Sequence, residues 1–183
     1  KAIDGHGRVM GGVLAGSEEL MTQVAMYCNS CGLAMSPFNA WQLLSGVETL
    51  SLRMEKQFDN ALKIAQWLQQ QPQVQAVYYT GLPDHPQAEL IRKQQNGGGI
   101  VIGFEVADQE AAWKVVDGVE LFSRTANLGD VRSTITHPWT TTHGRMQPEE
   151  KLAANIRPGL IRLSVGLEHI DDLIDDLQQA LNK

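Results

Sequence analysis

The chain has 183 residues, 43% hydrophobic and 20% charged, with 15 Lys+Arg against 21 Asp+Glu and a net charge of −6. That apolar content can build a core, which excludes general disorder, and the acidic balance argues against a nucleic-acid binder. No apolar run reaches bilayer length, no signal-peptide pattern is visible and two cysteines make no disulfide framework, so a cytoplasmic, reducing-compartment protein is the expectation.

The first sixteen residues are a glycine-rich loop leading into a short strand. Ser17, followed by Glu18 and Glu19, predicts a helix running to about Tyr27. Ser36-Pro37 marks a second helix start. From there Leu43, Leu44, Val47, Leu50, Met54, Phe58, Ala61, Leu62, Ala65 and Leu68 keep a helical period, predicting one long helix that ends before Pro72. Gly46 is tolerable inside it at a cost of ~1 kcal/mol relative to Ala. Strands are predicted around Val74–Tyr78, over Ile100–Val106, opening at Leu121-Phe122, and over Leu160–Val165. Short helices are predicted over Pro86–Gln95, over Ala107–Val116 and from Pro148. A polar loop is expected from Thr125 to about Gln147. Ile170, Leu173, Ile174, Leu177 and Leu181 share one face of a final helix. After Pro72, alternating strands and helices describe a small α/β layer of sheet covered by helices.

Among residues with chemistry, Cys28-Asn29-Ser30-Cys31 has redox spacing but follows a helix rather than opening one, so two small side chains at a helix end is the plain reading. His137 and His143 lie in one loop and read as polar residues bonded within it, with no metal site expected. Gly97-Gly98-Gly99 precedes a strand, which fits a close backbone approach better than a phosphate cradle. Arg162 sits mid-strand, on the same face as Ser164 and opposite Ile161, Leu163 and Val165. Its guanidinium needs a carboxylate, supplied either by a structural Asp or Glu or by a substrate. Lys1 taken alone is a solvated surface residue. The chain opens at this Lys with no initiator Met, so a fragment is expected.

Several segments together resemble the Cys/Met-metabolism family of pyridoxal-phosphate (PLP) enzymes. Lys1-Ala2-Ile3-Asp4-Gly5-His6-Gly7-Arg8-Val9-Met10-Gly11-Gly12 is similar to the family segment that starts at the cofactor lysine. Ser36-Pro37-Phe38-Asn39-Ala40-Trp41, Gly46-Val47-Glu48-Thr49-Leu50 and Arg53-Met54 resemble its linking helix. Asn127-Leu128-Gly129-Asp130, Thr136-His137-Pro138, Thr140–Arg145 and Leu160–Glu168 complete the pattern, in order and over essentially the whole chain. Asp4-Gly5-x-Gly7-Arg8-Val9 and Thr140–Arg145 look most like the O-succinylhomoserine sulfhydrylase branch. Trp139 stands where a small residue is more usual, and Asn127 where the γ-synthase and γ-lyase branches often have Ser.

The resemblance implies the C-terminal part of a fold-type I PLP-dependent transferase. Residues 1–58 would be the tail of the large PLP domain, and 59–183 the small C-terminal α/β domain. It implies pyridoxal 5′-phosphate as cofactor, held by Lys1 as a Schiff base, with the ε-amine moving protons. Arg162 would hold the substrate α-carboxylate, framed by Asn127 and Leu128. The reaction implied is γ-replacement on an O-acylhomoserine by sulfide, giving homocysteine, with cystathionine γ-synthase or methionine γ-lyase activity as near alternatives. A non-catalytic dimerising or regulatory domain is the alternative of another class. The implied partners are an amino-acid substrate, the N-terminal half of the same enzyme and further copies in a tetramer, with no nucleic acid and no membrane. The phosphate-binding turn, the stacking aromatic and the Asp for the pyridine nitrogen precede the lysine in the family. The chain alone is therefore expected to bind PLP poorly and turn over nothing.

Overall fold

The computed structural model describes residues 1–183 as seven helices and one five-stranded sheet. Helix α1 spans Glu18–Cys31. The Ser17 hydroxyl accepts from the Leu20 N–H at 3.3 Å, and Gly32, in the left-handed conformation, closes the other end. The helix runs past its expected end at Tyr27 and takes both cysteines into its last turn.

The long helix expected from Ser36 is two helices, α2 over Pro37–Glu48 and α3 over Leu50–Leu68, broken at Thr49. The cause is tertiary. In an unbroken helix the Gly46 carbonyl would serve the Leu50 N–H. Here the Arg53 guanidinium donates to it at 2.7 Å. The same glycine abuts the chain's first turn: a Cβ at Gly46 would collide with the Ile3 carbonyl oxygen and lie 2.9 Å from the Asp4 Cα. Gly46→Ala gains ~1 kcal/mol of helix propensity, against overpacking of a backbone contact at about 3 kcal/mol. The variant is expected to be less stable by about 2 kcal/mol, read as a lowered urea midpoint.

The buried stripe of α3 also differs from the apolar one predicted. It runs Arg53, Gln57, Asn60, Ala61, Ile64, Ala65, Leu68, while Met54 and Phe58 are only half-buried. The first half of this face meets main-chain carbonyls rather than apolar side chains.

The strands are β1 (Ala76–Tyr78), β2 (Val101–Glu105), β3 (Ser123–Arg124), β4 (Thr134–Thr136) and β5 (Leu160–Ser164). Their spatial order is β1-β2-β5-β4-β3, antiparallel except for the β3/β4 pair. Strand β4 lies inside the segment expected to be loop, because Thr-Ile-Thr is too short for its alternation to stand out from turn residues. The strand expected at Leu121-Phe122 begins later. Asp176 accepts from the N–H groups of Glu120, Leu121 and Phe122 at 2.7, 2.9 and 3.0 Å and takes that backbone out of the ladder.

Helices α4 (Ala88–Gln94), α5 (Gln109–Gly118), α6 (Pro148–Ala153) and α7 (Ile170–Leu181) complete the chain. Ile102, Phe104, Ile135, Ile161, Leu163 and Val165 from the sheet region pack on α3, α5 and α7 to form the core. Burial of this face is what holds the layer together. Helix α1 contributes no buried residue and α2 only Gly46, so Leu20, Tyr27, Phe38, Trp41 and Leu44 are exposed. No helix is long and apolar enough to cross a membrane.

Candidate active site

Lys1 is exposed and opens a tight turn, in which the Gly5 N–H donates to the Lys1 carbonyl at 3.0 Å. Asp4 fixes the following residues. Its buried carboxylate accepts from the N–H groups of His6 and Arg8 at 3.2 and 2.9 Å, and from the Arg8 guanidinium at 2.8 and 3.1 Å. Burial raises the Asp4 pKa, but the hydrogen bonds and charge of Arg8, with the His6 N–H, outweigh it and hold the carboxyl below its ordinary value. A depressed native pKa adds stability above the carboxylate range, and that stability is lost as pH falls through the native value. Asp4→Asn is therefore expected to be less stable than wild type at neutral pH. The difference should vanish in acid below the usual carboxylate range, measured by urea unfolding against pH.

The loop after β3 lies against this turn. The Val131 N–H donates to the Gly5 carbonyl at 2.7 Å. Gly129 has φ +77°, and a Cβ there would come within 2.8 Å of the Ala2 nitrogen and 3.1 Å of the Lys1 Cβ. Only glycine lets the loop approach Lys1 this closely. The Asn127 carbonyl accepts from the Thr134 hydroxyl at 2.9 Å, and its side-chain amide faces Asp130 Oδ2 at 3.4 Å. Leu128 is half-buried between Asn127 and Gly129.

Strand β5 closes the arrangement. Ile161, Leu163 and Val165 are fully buried, which turns Arg162 to the sheet's other face, as alternation requires. Arg162 donates to the Ala126 carbonyl at 2.9 Å, and the Ser164 hydroxyl accepts from the Gly129 N–H at 3.1 Å. One strand thus holds both ends of the Ala126–Gly129 loop that packs on Lys1. Neither Arg162 nor Lys1 takes part in any ion pair, so no Asp or Glu of this chain is the structural partner considered for Arg162. Burial alone pushes the Arg162 guanidinium below its ordinary value, with no carboxylate to offset it. Such a half-buried guanidinium, bonded to a neutral carbonyl, keeps further donors with which it could take a carboxylate. An aldehyde cofactor needs a primary amine that no ion pair consumes, and Lys1 meets that requirement.

The other flagged features lie apart from this cluster. The His137 ring is buried. Nε2 donates to the Pro158 carbonyl at 2.6 Å, which leaves Nδ1 to accept from the Thr140 hydroxyl at 2.8 Å. His143 Nδ1 pairs with the Thr142 hydroxyl at 2.8 Å. His143 is thus bonded within its own loop, whereas His137 ties that loop to the residues just before β5. Cys28 and Cys31 are free thiols at the end of α1. Gly98 is a close approach: a Cβ there would lie 2.5 Å from the Gly81 Cα. Trp139 packs under the buried Lys151 ammonium, 4.7 Å from its ring centroid.

Sequence reasoning put Ser164 on the face of Arg162 but gave it no task. Gln57 it passed over, since a glutamine on a helix usually faces water and its burial has no periodic signal.

A family profile for Cys/Met metabolism PLP-dependent enzymes matches residues 1–182. The O-succinylhomoserine sulfhydrylase of Pseudomonas aeruginosa is 50% identical over 182 residues, covering 99% of this chain and 45% of that protein. The L-methionine gamma-lyase of Porphyromonas gingivalis is 41% identical over 185 residues, covering 100% of this chain and 46% of the relative. Among solved structures, cystathionine gamma synthase from Xanthomonas oryzae pv. oryzae in complex with aminoacrylate and cysteine superposes with a TM-score of 0.92 at 40% identity, over 100% of this chain and 48% of that one. The chain spans about half the length of the relatives it matches. With a family profile over 182 of its residues and relatives of this kind along its whole length, the chain belongs to the Cys/Met-metabolism family of PLP-dependent enzymes and shares their fold-type I structure.

Proposed function

We propose that this chain carries the lysine and the carboxylate clamp of an enzyme that replaces the γ-acyloxy group of an O-acylhomoserine, with O-succinylhomoserine the first candidate, by sulfide, breaking the Cγ–O bond and giving homocysteine and the free carboxylate. The observation that carries the reading is Arg162: a half-buried guanidinium with no internal carboxylate, tied to the loop that packs on Lys1. Lys1 holds the cofactor through its ε-amine. When bound, pyridoxal phosphate supplies an electron sink for charge developing at the substrate α-carbon. The Lys1 amine takes and returns the proton at that carbon. Arg162 receives the α-carboxylate in two parallel hydrogen bonds, and Asn127 and Leu128 frame it. Orientation of the α-carbon follows from fixing the carboxylate and the amine end together.

Residues 1–58 act as the tail of the large PLP domain and 59–183 as the small α/β domain. The division is supported by a core whose first member is Ala61 and by the exposed apolar side chains of α1 and α2. The preceding half of the enzyme and further copies, in a tetramer, complete the cofactor cavity.

A second reading, γ-lyase or γ-synthase activity, is favoured by relatives and solved structures at 40–41% identity that bear those names. Assays of the complete enzyme separate the two. Homocysteine from O-succinylhomoserine plus sulfide supports the first. Methanethiol from methionine, or cystathionine from O-succinylhomoserine plus cysteine, at a higher kcat/KM overturns it.

A further inference from the structure

Three buried polar side chains of α3, Arg53, Gln57 and Asn60, share one face at i, i+4 and i+7. Their donors go to main-chain carbonyls of the segments that make the site. Arg53 donates to the carbonyls of Ala2 and Ile3, each at 2.9 Å, directly after Lys1. The Gln57 amide donates to the Asp130 carbonyl at 2.9 Å and to the Val165 carbonyl at 2.7 Å. The Asn60 amide donates to the Gly166 and Glu168 carbonyls at 3.1 and 3.0 Å. Gln57 is wholly buried, and its own amide oxygen has no partner.

A buried amide left half-satisfied costs stability. Its two donors, however, reach two segments at once, which also bond each other through Gly129 N–H to the Ser164 hydroxyl at 3.1 Å and Leu167 N–H to the Val131 carbonyl at 2.8 Å. One is the loop that continues from Asn127 and Gly129. The other is the end of the strand that carries Arg162. Arg53, one turn earlier, holds the Lys1 turn to the same rigid helix.

We infer that Gln57 is a positioning residue for carboxylate recognition: its NH₂ group anchors the Asn127–Asp130 loop and the Arg162 strand together on the helix that also holds the Lys1 turn. The inference rests on the reading of Arg162 as the substrate clamp.

The test uses the complete, cofactor-loaded enzyme with two variants. Gln57→Met keeps the length and helix propensity of the side chain but no donor, and Gln57→His keeps one donor at similar reach. Binding of L-norvaline, an amino acid with no γ-leaving group, is titrated by absorbance, and amide exchange is followed at Gly129 and Val131. Gln57→Met is expected to weaken norvaline binding about tenfold, because small displacements of aligned groups are costly. Exchange at Gly129 should quicken while cofactor content stays unchanged. Gln57→His, with one of the two donors left, is expected to fall between Gln57→Met and wild type in both readouts. A change in unfolding midpoint with norvaline affinity unmoved marks a merely structural role and overturns the inference. Arg162→Lys in the same titration separates the two layers. Wild-type affinity in that variant sinks the clamp itself; weakened binding there, with Gln57→Met unaffected, sinks only the role of Gln57. If Gln57→Met does not fold, Gln57→His decides: wild-type exchange at both Gly129 and Val131 overturns the inference.

Discussion

Lys1→Ala in the complete enzyme is expected to lower turnover by about 10²–10⁴-fold, the usual span for a positioned proton-transfer group. Stability should be nearly unchanged, because the Lys1 side chain is exposed and makes no ion pair. The turn around it is held by main-chain atoms and by Asp4, none of which the substitution removes. Lys1→Arg is expected to be as inactive as Lys1→Ala, since a guanidinium keeps the charge but stays protonated. That pair of variants separates a reactive amine from a mere positive charge. Turnover together with thermal unfolding checks the prediction. Activity within a few-fold of wild type in either variant would falsify the assignment.

Arg162→Leu is expected to raise KM for the amino-acid substrate by about 100-fold, the lower part of the cost of removing one partner of a hydrogen-bonded charge pair. The direction of the stability change is as informative as the kinetics. Burial disfavours this guanidinium and no internal carboxylate compensates, so the apolar variant should unfold at the same or a higher midpoint. A residue in a structural ion pair would behave the opposite way, losing stability with KM unmoved. Arg162→Lys is expected to fall between wild type and Arg162→Leu, because a point charge replaces one fork of two parallel donors. The KM for sulfide, which has no carboxylate, should stay constant across the series.

Much of the local structure was legible along the chain. Ser17 and Ser36 cap helices where their hydroxyls predict, and the apolar face of α7 is the one its spacing describes. These signals involve neighbours within one or two turns, so they are written in consecutive residues. The alternation in β5 likewise turned Arg162 away from Ile161 and Leu163 before any neighbour was known. The break at Thr49 was not legible, because its cause is an Arg53 side chain shared between Gly46 and a turn about fifty residues earlier. Nor was the polar face of α3. Gln57 and Asn60 look like solvated residues until the carbonyls of residues 130, 165, 166 and 168 are brought against them.

Order, spacing and residue type by themselves determined most helices of this protein, the strands β1, β2 and β5, and its family, since each of those is encoded by short-range periodicity or by motifs in fixed succession. Only the tertiary structure decided that Arg162 lacks an internal counter-charge, that the Asn127–Gly129 loop rests on Lys1, and that one helix face bonds to both. Pairing and burial depend on groups far apart in the chain, and no local pattern records which carbonyl a buried donor will meet.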